Sequence, residues 1–193
     1  MSLTVAVITA RWLSTRLPGK MLIDIKGKPM LQHVVDRCLM SDVDDVMVAT
    51  TLSSQPIIDY CIDSGIRYCI GDEEDILSRL YTAALLTDAT QIIRAWGDSP
   101  LTNPQTINQL LGEGVGVYAY APFEPRGTSA ALIDRKLLES DNKNLEGVDR
   151  HWYHKYCISR PYTKVRLSKY SFSHINLSVD NERSLELVRS IIV

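Results

Sequence analysis

Leu3–Thr9, LTVAVIT, followed at once by Ala10–Lys20, ARWLSTRLPGK, is the stretch on which the reading of this chain turns. The first part is almost continuously apolar and rich in Val and Ile, the pattern of a strand buried on both faces. The second part is polar and basic. A basic loop at the carboxyl end of a doubly buried strand belongs to open parallel α/β sheets, where ligands bind beyond the carboxyl ends of the strands.

Outward from that stretch, strands and helices alternate. Pro29–Met40 places Met30, Val34, Val35 and Cys38 on one helical face. Val46–Thr50 reads as a second buried strand, and Pro56–Ser64 as a helix with Pro at its start and Gly65 after its end. Ile66–Ile70 is a short third strand. Gly71-Asp72 turns into a helix over Glu73–Leu86 whose acidic first turn suits the helix dipole, with Leu77, Leu80, Tyr81, Ala84 and Leu85 as its buried stripe. Gln91–Ala95 is the fourth strand, Pro104–Leu111 a helix and Gly116–Tyr120 a further strand. This alternation predicts an α/β domain with a mostly parallel sheet and right-handed crossovers. Ala121–His174 is less regular, with helices expected near Asp134–Glu139 and Asp149–Cys157. A strand over Ile175–Val179 and an amphipathic helix burying Leu185, Val188, Ile191 and Ile192 follow.

Composition bounds the function. A chain of 193 residues suits one domain, and 45% hydrophobic with 23% charged residues excludes a mostly disordered chain. A net charge of −2 supplies no basic field for nucleic acid, so any phosphate site must be a local cluster. Cys38, Cys61, Cys69 and Cys157 form no C-x-x-C pair and read as free, buried thiols. The apolar run near the N-terminus has no basic segment before it and reads as a strand, not a signal peptide. No apolar stretch reaches the ~18 residues of a membrane span. The expectation is a cytoplasmic protein with no membrane partner.

Three features carry candidate chemistry. The loop gathers Arg11, Arg16 and Lys20 with the hydroxyls of Ser14 and Thr15, the charge and donors a triphosphate needs. It is neither a Walker A loop nor G-x-G-x-x-G, so a solvated basic loop is the competing reading. Asp98, in Gly97-Asp98-Ser99-Pro100, ends the fourth strand, where capping the next turn is a competing role. Asp180 precedes the last helix, where it could be an N-cap. Together, two carboxylates at the carboxyl ends of neighbouring strands could hold Mg²⁺, with waters and phosphate oxygens completing its shell.

These motifs, in order, resemble a known family. ARWLSTRLPGK followed by IDIKGKPML, then GDEEDILSRLYTAA, GDSPLTNP and LSVDNERSLELVR are similar to the sugar cytidylyltransferases, namely the CMP-Kdo synthetase group and, more closely, the spore coat polysaccharide biosynthesis protein F group. The resemblance implies a three-layer α/β/α nucleotide-diphospho-sugar transferase (GT-A-like) fold. It implies transfer of CMP from CTP to a sugar acid or sugar phosphate, with release of pyrophosphate, in surface polysaccharide synthesis. Arg11 and Lys20 would bind the triphosphate, Ser14, Thr15, Arg16 and Gly19 would shape the cradle, and Ala10 would lie against the nucleoside. Asp98 and Asp180 would hold Mg²⁺. Asp75 and Arg79 would face the nucleotide, although their i,i+4 spacing equally suits a buried pair on the helix. Dimer contacts and the sugar pocket would lie in Ala121–His174, leaving a homodimer open.

The chain departs from the family pattern at Leu13, where Gly is usual and φ > 0 would burden a side chain. It also departs at Asn103, where Asp is usual, and at Ser129 and Ala131, where carboxylates are usual; these last leave the acceptor open. His151 and His154 have H-x-x-H spacing with no third metal ligand in view, and Trp96 reads as a packed indole beside a candidate site. Two other function classes compete: an enzyme of related fold using another base or transferring a sugar, and a non-catalytic binding relative. Relatives of the first kind usually open with a glycine-rich loop, and Ala10–Leu13 has no glycine.

Overall fold

Val5, Ala6, Val7 and Ile8 are wholly buried, as a strand covered on both faces requires. A computed structural model, which describes residues 2–112, 118–165 and 169–192, shows what covers them. Strand β1 (Thr4–Thr9) lies near the middle of a seven-stranded sheet. The tiny hairpin β2 (Asp24–Ile25) and β3 (Lys28–Pro29) stands outside that sheet. β1 pairs in parallel with β4 (Asp45–Thr51) on one side and β6 (Gln91–Trp96) on the other, and β5 (Arg67–Gly71) extends the sheet beyond β4. Past β6 come β8 (Ala131–Asp134), β7 (Tyr118–Tyr120) and β9 (Thr163–Lys164), giving the order β5-β4-β1-β6-β8-β7-β9.

Strand alternation sends the two faces of β1 into two cores. Ala6 and Ile8 pack with Met30, Val34 and Cys38 of α1 (Met30–Leu39), Ile57 of α2 (Gln55–Asp63), Ile107 of α4 (Pro104–Gly112) and Val188 of α8 (Glu182–Ile191). Val5 and Val7 pack with Leu77 and Leu80 of α3 (Ile76–Leu86), Leu138 of α5 (Arg135–Asn144) and Tyr153 of α7 (Tyr153–Ile158). The result is three layers, α/β/α. All four cysteines are free and buried. Among the described residues no helix is long and apolar enough to cross a membrane.

Several expectations are corrected. Ile175–Val179 is not a strand; its one ladder contact is an isolated bridge from Asn176 to Arg126. Its backbone bonds go to separate partners, Leu177 N–H to the Arg126 carbonyl and Val179 N–H to the Asp98 carbonyl. A strand not foreseen, β8, runs antiparallel to both β6 and β7, so the sheet is mixed at one end. The helix expected over Asp149–Cys157 breaks at Trp152 into α6 (Val148–His151) and α7. Leu85 and Ile191 are exposed instead of buried, because Ala83 takes the inner position on α3 and the apolar stripe of α8 ends at Val188. Of the strand expected over Gly116–Tyr120, Gly116 and Val117 lie outside the described residues.

One crossing of chain segments fixes the end of the sheet where the loops gather. Gly127 has φ +91°, and a Cβ there would lie 2.4 Å from the backbone nitrogen of Ser178. Only glycine lets the 125–128 turn pass this close to the 176–179 segment. Gly127→Ala is therefore expected to lower stability by about 2 kcal/mol or more, read as a reduced denaturation midpoint in urea; an unchanged midpoint would show that the crossing is not a constraint.

Candidate active site

The loop after β1 is held from both sides. Ala10 N–H donates to the Ala49 carbonyl of β4, and Trp12 N–H donates to Ser54 Oγ at 2.9 Å. Ser54 is the N-cap residue of α2 yet makes no capping bond with its side chain; its hydroxyl serves the loop instead. At the far end, Leu17 is buried, and Gly19 turns the chain with φ +67°. The Trp12 ring lies over Gly19 so closely that a Cβ would come within 2.9 Å of it. The turn feeds a single 3-10 turn, Lys20–Leu22, and aims Lys20 inward. Leu13 is exposed and does not take positive φ, so the side chain there carries no backbone penalty. Ser14 is partly exposed and Thr15 exposed.

Lys20 is buried, with 7% of its surface accessible. Its ammonium donates to Asp98 Oδ2 at 2.9 Å and to the Val179 carbonyl at 2.8 Å, and lies 3.6 Å from Asp180 Oδ1. Asp180 also accepts from Arg16 Nη2 at 2.9 Å and faces Arg126 Nη2 at 3.6 Å. The two acids are thus brought together, but not by neighbouring strands: Asp98 follows β6, and Asp180 ends the irregular 175–179 segment. Neither is tied up as a cap. Asn181 caps α8 in a capping box with Ser184, and the Asp98 carboxylate is engaged by Lys20.

Arg11 pairs with Glu73 at 3.8 Å. Burial pushes the Glu73 carboxyl up, but the Ser53 and Thr51 hydroxyls and the Arg11 and Arg79 charges outweigh it and hold it below its ordinary value. Arg79 is buried beneath, with its Nε lacking a partner. Asp75 and Arg79 do not form the helical pair considered above. Asp75 is the N-cap of α3, outside the helical repeat, where it accepts from Ser78 N–H and pairs with Arg150 at 2.7 Å. Glu73, Arg126, Arg150 and Ser54 escaped the sequence reading. Only Arg126 carried a signal, sitting in a Pro-Arg-Gly turn.

The chain matches the cytidylyltransferase family over residues 5–157. It belongs to the cytidylyltransferase family. It is 36% identical over 113 residues to the 3-deoxy-manno-octulosonate cytidylyltransferase of Aeromonas salmonicida, covering 55% of this chain and 44% of that protein. The matched stretch thus spans under half the length of that curated relative. A cytidylyltransferase structure from Leptospira borgpetersenii serovar Hardjo-bovis superposes with a TM-score of 0.90 at 21% identity, covering 100% of this chain and 87% of that one. A CMP:2-keto-3-deoxy-manno-octonic acid synthetase complexed with CTP gives 0.77 at 22% identity, covering 99% and 98%. At these identities the two structures show a shared fold.

The departures of this cytidylyltransferase-family chain have local explanations. Asn103 accepts from Gln105 N–H at 3.0 Å at the start of α4, a capping task Asn and Asp perform about equally. Ser129 is buried and donates to the Ala121 carbonyl, and Ala131 is fully buried in β8 opposite Arg94. Trp96 packs edge-on against Tyr120 and His154, with centroids 6.4 and 5.1 Å away, as a packed indole should. His151 and His154 do not converge: His151 pairs with Glu74, and His154 Nδ1 meets the Tyr118 hydroxyl.

Burial, with Arg94 adding repulsion, pushes the His154 imidazole down to about 3. The unfolded chain takes up that proton near pH 6.5 while the folded protein does not. Stability should therefore rise with pH through the interval from about 3 to 6.5 and be lost on acidification, at up to about 1.4 kcal/mol per pH unit. Urea denaturation across that interval is expected to show a flatter profile for His154→Gln than for the parent protein; parallel profiles would count against a buried neutral imidazole.

Proposed function

We propose that this protein is a cytidylyltransferase that transfers CMP from CTP to a sugar acid or sugar phosphate, releasing pyrophosphate, in surface polysaccharide biosynthesis. The observation that carries the reading is the Lys20 ammonium held between Asp98 and Asp180 at the mouth of a loop bearing Arg11 and Arg16. A basic loop facing two carboxylates around one cation is what in-line phosphoryl transfer asks for.

The donor set fits a magnesium ion. Asp98 and Asp180 offer hard carboxylate oxygens already drawn around a positive charge. Among the described residues no group of three or more His, Cys, Asp or Glu side chains is arranged to hold a metal, so two carboxylates would hold it, with phosphates and waters as further ligands. When bound, the metal would neutralise charge on the phosphate oxygens. Lys20 presents its positive charge to both acids. A triphosphate would give the ammonium a further anionic partner, and Lys20 would turn from the acids toward the phosphate chain. Arg11, half-exposed beside Glu73, and Arg16, which needs only to leave Asp180, add donors to the leaving pyrophosphate. Ala10, buried at the root of the loop, forms the wall against which the nucleoside lies. Catalysis then rests on positioning and charge, with no covalent enzyme intermediate.

Pyrophosphate release with CTP and Mg²⁺ against 3-deoxy-manno-octulosonate and sugar phosphates tests the reading, beside thermal shift with each nucleoside triphosphate. CTP is expected to give the largest shift and to support turnover. Lys20→Ala is expected to lower turnover by roughly 10² or more, on the scale of a lost transition-state donor. Near-parental kinetics for that variant, or no CTP-dependent shift and no pyrophosphate with any acceptor, would remove the proposal.

A further inference from the structure

Arg94 sits in the middle of β6, in register with Val7 of β1 and Ala131 of β8. It is 4% exposed, and its Nε and Nη1 are buried with no hydrogen-bond partner. Among the described residues, the groups around it carry no compensating charge. The Trp96 ring is 5.0 Å from its Cζ. Burial pushes the Tyr118 phenol well up and the Cys157 thiol up to about 12, while His154 is pushed down to about 3, so all three are neutral near pH 7. The other buried arginine that acts on it, Arg79, repels it; the carboxylate that acts on it, Asp98, is taken by Lys20. The facing strand offers Ala131 and the preceding segment Ser129, neither of them an acid.

A guanidinium buried in a sheet without a counter-ion is destabilising by several kcal/mol relative to a paired one, and a fold with no use for it places an apolar residue there. Its position indicates the use. Strand alternation puts Arg94 and Trp96 on one face, and Trp96 leads directly into Gly97-Asp98. Tyr120 and His154 pack edge-on at 4.7 Å, and both pack against Trp96. Each of these three rings is partly exposed, so the aromatic cluster that adjoins Arg94 reaches solvent. A cation bordered by aromatic rings has the chemistry that a sugar bearing an anionic group calls for.

We infer that Arg94 is the residue that makes the acceptor site specific for an anionic sugar: the acceptor's carboxylate or phosphate meets the guanidinium donors that the fold leaves unused, between Trp96, Tyr120 and His154. The inference rests on the cytidylyl-transfer reading of the same site and adds the group that reads the acceptor. Its charge explains why Ser129 and Ala131 are not acids, since a carboxylate there would occupy the guanidinium.

Arg94→Met and Arg94→Lys, made in the full chain, test this. A ligand-free Arg94→Met protein is expected to be at least as stable to urea as the parent, because an unpaired buried charge has been removed. In pyrophosphate release with CTP, 3-deoxy-manno-octulosonate and glucose 1-phosphate represent the carboxylate and phosphate sources, and glucose is the neutral control. The parent is expected to use one of the anionic probes and not glucose. Arg94→Met should raise the acceptor KM by about tenfold or more, the scale of a lost charge-assisted pair, with the CTP KM within about twofold. Arg94→Lys should recover part of the loss. Glucose performing as well as the anions, or an unchanged acceptor KM in Arg94→Met, overturns the inference. A marked loss of stability in Arg94→Met that Lys restores overturns it too, since the arginine would then be structural. If the parent releases no pyrophosphate and shows no CTP-dependent shift, the parent reading fails by itself. Calorimetric titration with the two anionic probes still judges Arg94, and absent binding, or equal binding to parent and Arg94→Met, overturns its role.

Discussion

One buried ammonium ties the molecule's functional end together. Lys20 takes hydrogen bonds to Asp98 and to the Val179 carbonyl and lies against Asp180, so a single charge joins the loop after β1, the end of β6 and the segment before α8. Removing any of the three anionic or carbonyl partners would leave a buried cation short of compensation, which is why the surrounding pieces are so constrained. Gly19 must turn beneath Trp12 to aim the lysine inward. Gly127 must let the 176–179 segment come close enough for Val179 to present its carbonyl. Ser54 gives up its own helix to hold Trp12 in place.

The arrangement is also balanced against too much order. Asp180 is shared among Lys20, Arg16 and Arg126, and the last two have largely exposed side chains. Exposed arms contribute little to stability and are easily released. The two arginines that face Asp180 are therefore weakly held. The nearby Arg11–Glu73 pair has the same character, a loose ion pair at 3.8 Å.

Much of this was legible in the sequence, for identifiable reasons. Doubly buried strands announce themselves as unbroken Val and Ile runs, as at β1 and β4, whereas their order and register are set by pairings that no local pattern records. Lys20 stood out as part of a basic loop after β1, Asp98 as the residue just past a buried strand and Asp180 as the one before a helix, and the structure brings the three together. The Ile175–Val179 segment reads as a strand because Ile175, Leu177 and Val179 alternate with polar residues, but its backbone partners come from two different places, Arg126 and Asp98, and local pattern carries no record of that. Asp75 looked like a helical partner for Arg79 because spacing assumes both lie inside the helix, and the cap position breaks that assumption. β8 was hidden because Ala130 and Ala131 have little strand preference, and its pairing is set by β6 and β7. Arg126 and Glu73 are surface-like charges in turns, recognisable only once their partners are in place.

The span between partners has a consequence for how the protein is made. Arg16 and Asp180 are 164 residues apart, so a growing chain emerging from the ribosome can lay down β1, β4 and β6 long before the acid that completes the charge set exists. Contacts between residues this distant form late, after the closer ones have reduced the entropy of bringing the ends together. During that interval the basic loop is an exposed cationic segment on a nascent sheet, and the arrival of the segment that carries Asp180 gives it its acidic partner.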